Sequence, residues 1–381
     1  MRQAPLQKIA IVHDWFTTYA GSEKVVEQIL AAFPQADLFG LVDFIPAGSR
    51  GFLLDKPVQT SFLQTFPFLN QKNYRQFLPF MPLAIEQFDL SGYQVVISSC
   101  HAVSKGVITG PEQLHLSYIH TPMRYAWDMQ NAYLENSGMN RLKATLARLL
   151  LHYVRTWDAV AANRPDRLVA NSRFIARRIR KTYRREAQVI YPPVDTDYFT
   201  PGVGPREDFY LAASRFVPYK RLDLIAETFR QLPDKKLVII GDGPELPRIK
   251  PFLGENVLWL GYQPGEVLRD HFRRCRAFVF AAMEDFGIMP LEAQACGAPV
   301  IAFGAGGSQE TVRGPERPPQ TGVFFAEQTV PALREAVLAF EASQIQPEAC
   351  RQHAEQFSIS RFRAEIQAYI HTAWEEFQAA G

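Results

Sequence analysis

Cysteine is scarce in this sequence: Cys100, Cys275, Cys296 and Cys350 are the four in 381 residues, far apart and with no CxxC pair. That spacing excludes a disulfide framework and a cysteine-based zinc site, and it fits a reducing compartment. An excess of one charge is missing too. Lys and Arg total 41 against 39 Asp and Glu, a formal net charge of +2, too mild for nucleic acid to be the main partner. No apolar run approaches the roughly 18–20 residues of a membrane-crossing helix. The opening "MRQAPLQKIAIVHDWF" lacks the basic-then-apolar pattern of a secretory signal. A cytoplasmic protein is expected, soluble or peripheral at the inner face of the plasma membrane. Short-period repeats and low-complexity tracts are also absent.

What is present is enough apolar material, 47% of residues, to fill two cores rather than one. Short β-branched runs alternate with helix-length periodic segments: "KIAIV" then 21–33, "QVVISS", "LHLSYI", "RLVAN" then 172–184, and "QVIY". The alternation restarts with "FYLAAS" then 221–231, "KLVIIG", "VLWLG", "AFVFA" then 288–296, and "PVIAF". This is βα alternation around parallel sheets, so two α/β domains are expected. Between them, the Pro- and Gly-rich stretch 192–208 reads as a linker. The expected domains are 1–200 and 201–357. A final helix over 358–381 carries Phe362, Ile366, Tyr369, Ile370, Trp374 and Phe377 on one stripe that must be buried.

Chemistry concentrates in "MEDFGIMPLEAQACGAPV", residues 283–300. Glu284 sits where a strand ends, the place at which open α/β sheets bind ligands. Pro290 suits the first turn of the following helix and Gly297 its C-terminal cap. The amides of Phe286, Gly287, Ile288 and Met289 then have no intrahelical partners and attract an anion, most often phosphate. Glu292 lies on the helix's opening turns. Carboxylates that accept hydrogen bonds from hydroxyls, beside amides that hold a diphosphate, suit a nucleotide sugar. A dipole-favoured glutamate plus a solvated one is the plain alternative. Context favours the ligand: "SRFVPYKRLD" puts Arg215 at another strand end and Lys220 just before a helix, two cations that complement a diphosphate. In "VIIGDGPEL", Gly241 and Gly243 permit close backbone approach.

Together these residues resemble glycosyltransferase family 4, the retaining nucleotide-sugar transferases of GT-B fold. The E-x7-E signature corresponds to Glu284 and Glu292, the cation pair to Arg215 and Lys220, and "VIYPPVDTDYF" to the interdomain segment. The resemblance implies a GT-B architecture: two Rossmann-like α/β/α domains facing a deep cleft, with the C-terminal helix packing back toward the N-terminal domain. It implies that Glu284 contacts donor-sugar hydroxyls, Glu292 the ribose, and Arg215 with Lys220 the diphosphate. Gly243 and Tyr262 would lie by the nucleobase. In the first domain, Gly21 in "AGSEKVVEQIL" would approach donor phosphate or acceptor, with a plain helix start capped by Ser22 as the alternative. His120 in "LSYIHTPMRYAWD" matches the family's strand-end histidine. Arg124, Tyr125, Trp127 and Asp128, and likewise His13, Asp14 and Trp15, are candidates for the acceptor side.

The wording of "HTPMRYAWD" and "EDFGIMPLEAQACGAPVIAFGAGGSQETV" is similar to bacterial mannosyltransferases of polysaccharide biosynthesis. This implies GDP-mannose as donor, with UDP-glucose or UDP-galactose still open, and a glycan or lipid-linked acceptor. Rivals are a catalytically silent nucleotide-binding scaffold and a nicotinamide oxidoreductase. The second is disfavoured because "GDGPEL" and "GAGGSQ" lack the last glycine of G-x-G-x-x-G. No metal or other cofactor is expected, and Asp195-Thr196-Asp197 reads as turn capping. The cations Arg173, Arg177, Arg178, Arg180, Lys181, Arg184 and Arg185 could attract an anionic membrane or form a solvated helix face. The aromatic- and proline-rich segment 52–83 is read either as a lipid- or acceptor-facing flap or as ordinary packing.

Overall fold

A computed structural model describes residues 6–135 and 140–380. The chain forms two compact units, Met1–Tyr191 with Phe362–Gly381, and Pro192–Arg361. In the first, seven strands run β1 (Ile9–His13), β2 (Asp37–Gly40), β3 (Val58–Thr60), β4 (Val95–Cys100), β5 (Leu114–Ile119), β6 (Arg167–Ala170) and β7 (Gln188–Val189). They pair in parallel in the order β3-β2-β1-β4-β5-β6-β7. Every residue of β1, β4 and β5 is buried, as a parallel sheet covered on both faces requires. Strand alternation then splits the core. Ile9 and Ile11 face Val25, Ile29 and the last helix; Ala10 and Val12 face Met123, Ala126 and Val154.

The last helix, Ile359–Ala380, buries Phe362, Ile366, Ile370, Ala373 and Trp374 in that first core, with Tyr369 and Phe377 partly buried against it. Its spacing puts these residues on one side of the helix. Another helix, Arg141–Ala161, is anchored by a buried charge: Asp158 pairs with Lys105 and accepts from Trp127 Nε1 at 2.7 Å and Tyr183 Oη at 2.9 Å. Both charged partners are essentially inaccessible to water. The 52–83 segment is divided. Leu53, Leu63, Tyr74 and Met81 are buried, whereas Phe62, Phe66, Phe68, Phe80 and Leu83 are exposed.

The second unit repeats the plan with β8 (Tyr210–Ala213), β9 (Leu237–Ile240), β10 (Val257–Trp259), β11 (Ala277–Phe280), β12 (Val300–Phe303) and β13 (Gly322–Phe325), ordered β10-β9-β8-β11-β12-β13. All pairings are parallel. Tyr210, Ala212, Ile239 and Val279 face helices Leu222–Arg230 and Val330–Glu341. Leu211, Ala213, Phe278 and Phe280 face Phe272, Ala293 and Cys296.

The stretch 192–208 is not a free linker. Val194 bridges to Ser358, with its amide donating to Phe357 O at 2.9 Å. Phe199 is buried in the second core, and the Arg351 guanidinium donates to the carbonyls of Thr196, Phe199 and Ala295. The segment up to Thr200 is thus packed, whereas 201–205 are exposed, and the two compact units divide at Tyr191–Pro192. Within it, the Asp195 carboxylate accepts the Tyr198 amide at 2.9 Å.

Removing one member of a buried ion pair strands the other charge. Lys105→Met is therefore expected to lower unfolding free energy by about 3–5 kcal/mol in urea titrations, and an unchanged midpoint would contradict the assigned role of the pair.

Candidate active site

Strand order reverses between β8 and β11 in the second unit, which leaves a crevice beyond their carboxyl ends. Arg215 and Lys220 follow β8, and Glu284 follows β11. Arg215 is exposed. Lys220 forms an ion pair with Glu284, both side chains retaining limited exposure, 14% and 19%. The carboxylate with no cation in its own stretch thus finds one on the neighbouring loop. The Lys220 ammonium also stands over the rings of Tyr219 and Phe280 at 5.2 and 5.9 Å.

Two glycine loops hold this corner by close backbone packing. A Cβ at Gly241 would strike Ser214 O, and one at Gly243 would lie 2.5 Å from Phe216 O; both glycines have positive φ. The Phe216 amide donates to Asp242 O at 2.8 Å. The close approach at Gly243 is therefore made to the loop after β8. Likewise Gly307 leaves no room for a Cβ against Phe286, and its amide donates to Glu284 O at 2.8 Å.

Gly287, at φ +96°, is the N-cap of the helix Ile288–Ala295 and has no side chain with which to cap it. Ile288 and Met289 thus present helix-start amides that a side chain would otherwise occupy. Phe286 is buried against Phe357. Glu292 is buried on the second turn, at 5% exposure. Tyr262 is exposed, at 81%.

The first unit reverses order between β1 and β4, and its polar residues gather there. His13 approaches Ser99 O with Nδ1 at 3.0 Å and Glu23 Oε1 with Nε2 at 3.4 Å. A carbonyl and a carboxylate both accept, so the doubly protonated ring satisfies both contacts. Burial alone would lower the His13 pKa, but the hydrogen bond and charge of Glu23 raise it. Burial opposes ionisation of Glu23 too, yet His13 brings its pKa down to about 2. Glu23 also accepts from the Ala20 amide at 3.1 Å and Ser22 Oγ at 3.0 Å. The N-cap of helix Gly21–Ala32 is thus Ala20, with Glu23 closing back on it, and Ser22 is not the cap.

Asp14 accepts four backbone amides, from His101, Ala102, Val103 and Ser104, at 2.6–2.9 Å. His101 Nδ1 is 3.1 Å from Asp14 Oδ2. Despite complete burial, the charges of His101 and His13 and these amides keep the Asp14 pKa below its ordinary value. Its carboxylate holds the loop after β4. Trp15 is buried edge-on to His101 and Tyr74. His120 Nε2 lies 2.8 Å from Ser99 Oγ, with its ring 6.3 Å from that of His101. Burial, and then the neighbouring histidines, push its pKa down to about 3, so His120 is neutral near pH 7.

Of the run after β5, Trp127 donates to Asp158 and Asp128 accepts from Arg178 Nη2 at 2.6 Å. Tyr125 is partly buried, with its ring 6.2 Å from that of Tyr133, and Arg124 is also half-buried. His101, Ser99 and Glu23 did not emerge from the sequence reading. His101 has the signal that marked His120, a histidine directly after a buried strand. Glu23 has none, since alanine occupies its N-cap.

Two parallel sheets of this order, each with polar side chains at its switch point, define a GT-B glycosyltransferase fold. Consistent with this, the Anabaena HepE structure in complex with UDP and glucose superposes with TM-score 0.68 at 16% identity, covering 96% of this chain and 99% of that one. Family models match in succession, "Glycosyltransferase Family 4" over 19–198 and "Glycosyl transferases group 1" over 195–357. The chain belongs to glycosyltransferase family 4. A D-inositol 3-phosphate glycosyltransferase of Geodermatophilus obscurus is 33% identical over 248 residues, 56% of this chain and 54% of the relative. The GDP-mannose-dependent alpha-(1-6)-phosphatidylinositol monomannoside mannosyltransferase of Mycolicibacterium smegmatis is 32% identical over 194 residues, 43% and 50% of the two chains. These matches span about half the length of the curated relatives.

The His13–Glu23 pair has a defined pH window. The raised His13 pKa stabilises the fold below the ordinary histidine value of 6.5, and this is lost as pH rises through the folded pKa. The lowered Glu23 pKa stabilises above the ordinary 4.5, and this is lost as pH falls toward 2. The stability gap between wild type and Glu23→Gln, measured by denaturant titration, is expected to be widest between pH 4.5 and 6.5 and to shrink on either side. A gap independent of pH would show that the pair is not ionic.

Proposed function

We propose that the chain is a retaining, metal-independent hexosyltransferase that moves mannose from GDP-mannose to a hydroxyl of a glycan or lipid-linked acceptor. The observation that carries this reading is the Lys220–Glu284 ion pair beside the uncapped start of helix Ile288–Ala295. Cleaving a glycosyl–phosphate bond builds positive charge at the anomeric carbon and negative charge on the departing diphosphate. Fixed cations and amides around that leaving group lower the barrier. Arg215, Lys220 and the amides from Phe286 to Met289 take this role. When donor binds, Lys220 exchanges its carboxylate for phosphate oxygens, and Glu284 turns to the sugar hydroxyls. Each member of the pair keeps a charge-assisted partner throughout. Glu292 receives the ribose hydroxyls, and Gly243 with Tyr262 borders the nucleobase.

Retention by double displacement needs a carboxylate nucleophile at the anomeric carbon. Glu284 is committed to remote hydroxyls, so the reaction proceeds on one face, with the leaving phosphate taking the acceptor proton. His120, neutral and held by Ser99, supplies a hydrogen bond to the sugar or acceptor and is not a proton sink. Mannose and GDP rest on the likeness of "HTPMRYAWD" and on the M. smegmatis relative, whose name gives GDP-mannose as its donor. The protein works in the cytoplasm, and the basic segment Arg173–Arg185 adds contact with an anionic membrane. Within that segment Arg178 pairs with Asp128, and Arg185 donates to the carbonyls of Ala162, Pro165 and Asp166, so Arg177, Lys181 and Arg184 would bear the contact.

Calorimetric titration with GDP, UDP and ADP tests the donor. GDP is expected to bind preferentially, and Arg215→Ala and Lys220→Ala are each expected to weaken it roughly 10–100-fold, the equivalent of about 1.5–3 kcal/mol per charge-assisted hydrogen bond. Glu284→Gln is expected to keep GDP affinity within about threefold while cutting sugar transfer ~100-fold. Preference for UDP would move the assignment to a glucosyl- or galactosyltransferase. Binding without any transfer would make the protein a nucleotide-binding scaffold.

A further inference from the structure

The helix Arg141–Ala161 buries one side only. Val154, Asp158 and Ala161 point into the first unit. Leu142, Leu146, Leu149, Leu150, Tyr153 and Val160 are all exposed, Leu142 to 80% and Leu149 to 63%. At 3.6 residues per turn these six fall within an arc of about 100° and run some ~27 Å along the axis. Monomeric soluble proteins scatter exposed leucines singly; a continuous apolar strip marks a contact surface.

The charges beside the strip identify its partner. Arg141, Lys143 and Arg148 are exposed on this helix, and its one acidic residue, Asp158, is buried in the pair with Lys105. Tyr183, at the end of the basic helix Arg173–Tyr183, donates to that same Asp158, so the two helices pack together through their buried sides. No described helix is long and apolar enough to cross a membrane. An apolar strip flanked by Thr145, His152, Thr156 and these cations, with no exposed carboxylate on the helix, is the pattern of a helix that lies in the plane of a bilayer interface. A strip built to bind another copy of this chain would need acidic groups to meet those cations.

We infer that helix Arg141–Ala161 is a monotopic anchor that embeds Leu142–Val160 among the acyl chains of an anionic membrane, with its cations at the headgroups. This goes beyond the basic segment Arg173–Arg185, which offers attraction but no apolar insertion. It also stands independently of the glycosyl-transfer reading.

Co-sedimentation of the full chain with vesicles of phosphatidylcholine alone, or with about 30% phosphatidylglycerol, tests the inference. Wild type is expected to pellet with the anionic vesicles and to be released only partly by ~0.5 M salt, because apolar burial is not screened. Leu146→Ser/Leu149→Ser changes exposed residues alone, so its melting temperature should match wild type. Its vesicle affinity should fall by about tenfold or more. Equal binding by the double variant, complete release by salt, or no binding by wild type would overturn the anchor. So would sedimentation velocity showing a lipid-free dimer that the double variant dissociates, since the strip would then join two copies.

Discussion

In a parallel sheet, addition of strands first to one side of the opening strand and then to the other forces two successive connections apart, and the gap lies beyond the strands' carboxyl ends. Both sheets of this protein obey that constraint, at β1/β4 and at β8/β11. Everything chemical in the chain follows from it. Arg215, Lys220 and Glu284 are remote in sequence, yet one reversal brings the loops after β8 and β11 side by side, and the Lys220–Glu284 pair joins them. Glycines at 241, 243 and 307 bring those loops to distances no side chain would allow, so their backbones pack directly against one another. Preorganised charge of this kind lowers a barrier without reorganisation at the moment of reaction.

The two switch points use the same geometry differently. At β8/β11 the polar groups retain exposure and the helix start is left uncapped, which favours a ligand. At β1/β4 most polar groups are already satisfied internally. Asp14 is consumed by four amides, and His13 and Glu23 neutralise each other out of water. The Asp14 contacts hold the loop that carries His101, and Ser99 contacts His120. His13 and Asp14 are engaged in these internal contacts, while His120 retains a ring nitrogen beyond its Ser99 contact.

Much of this was legible in the sequence because it is local. The apolar runs that became β1, β4, β5, β8, β9 and β11 are continuous, as doubly covered strands must be, and the helices beginning near residues 21, 173, 222 and 288 follow strand ends. The stripe from Phe362 to Phe377 carries a clean helical period and is the buried face of the last helix. Strands β2, β3 and β13, "DLFG", "VQT" and "GVFF", are not among the runs legible in the sequence. The amphipathic helix Arg141–Ala161 is not legible in the sequence because its apolar residues cover two faces, one buried and one bare. Long-range partners were invisible for another reason. Nothing near Glu284 announces Lys220, nothing near Asp158 announces Lys105, and the prolines of 192–208 conceal a segment clamped by Arg351.

The central claim is that the β8/β11 corner grips a nucleoside diphosphate through Arg215, Lys220 and the amides that open helix Ile288–Ala295. A crystal structure of the chain soaked with GDP tests it most directly. The account predicts diphosphate density against the Ile288 and Met289 amides, the Lys220–Glu284 contact opened, and the ribose within hydrogen-bonding reach of Glu292. Diphosphate bound away from this corner, with Lys220 still on Glu284, would contradict it.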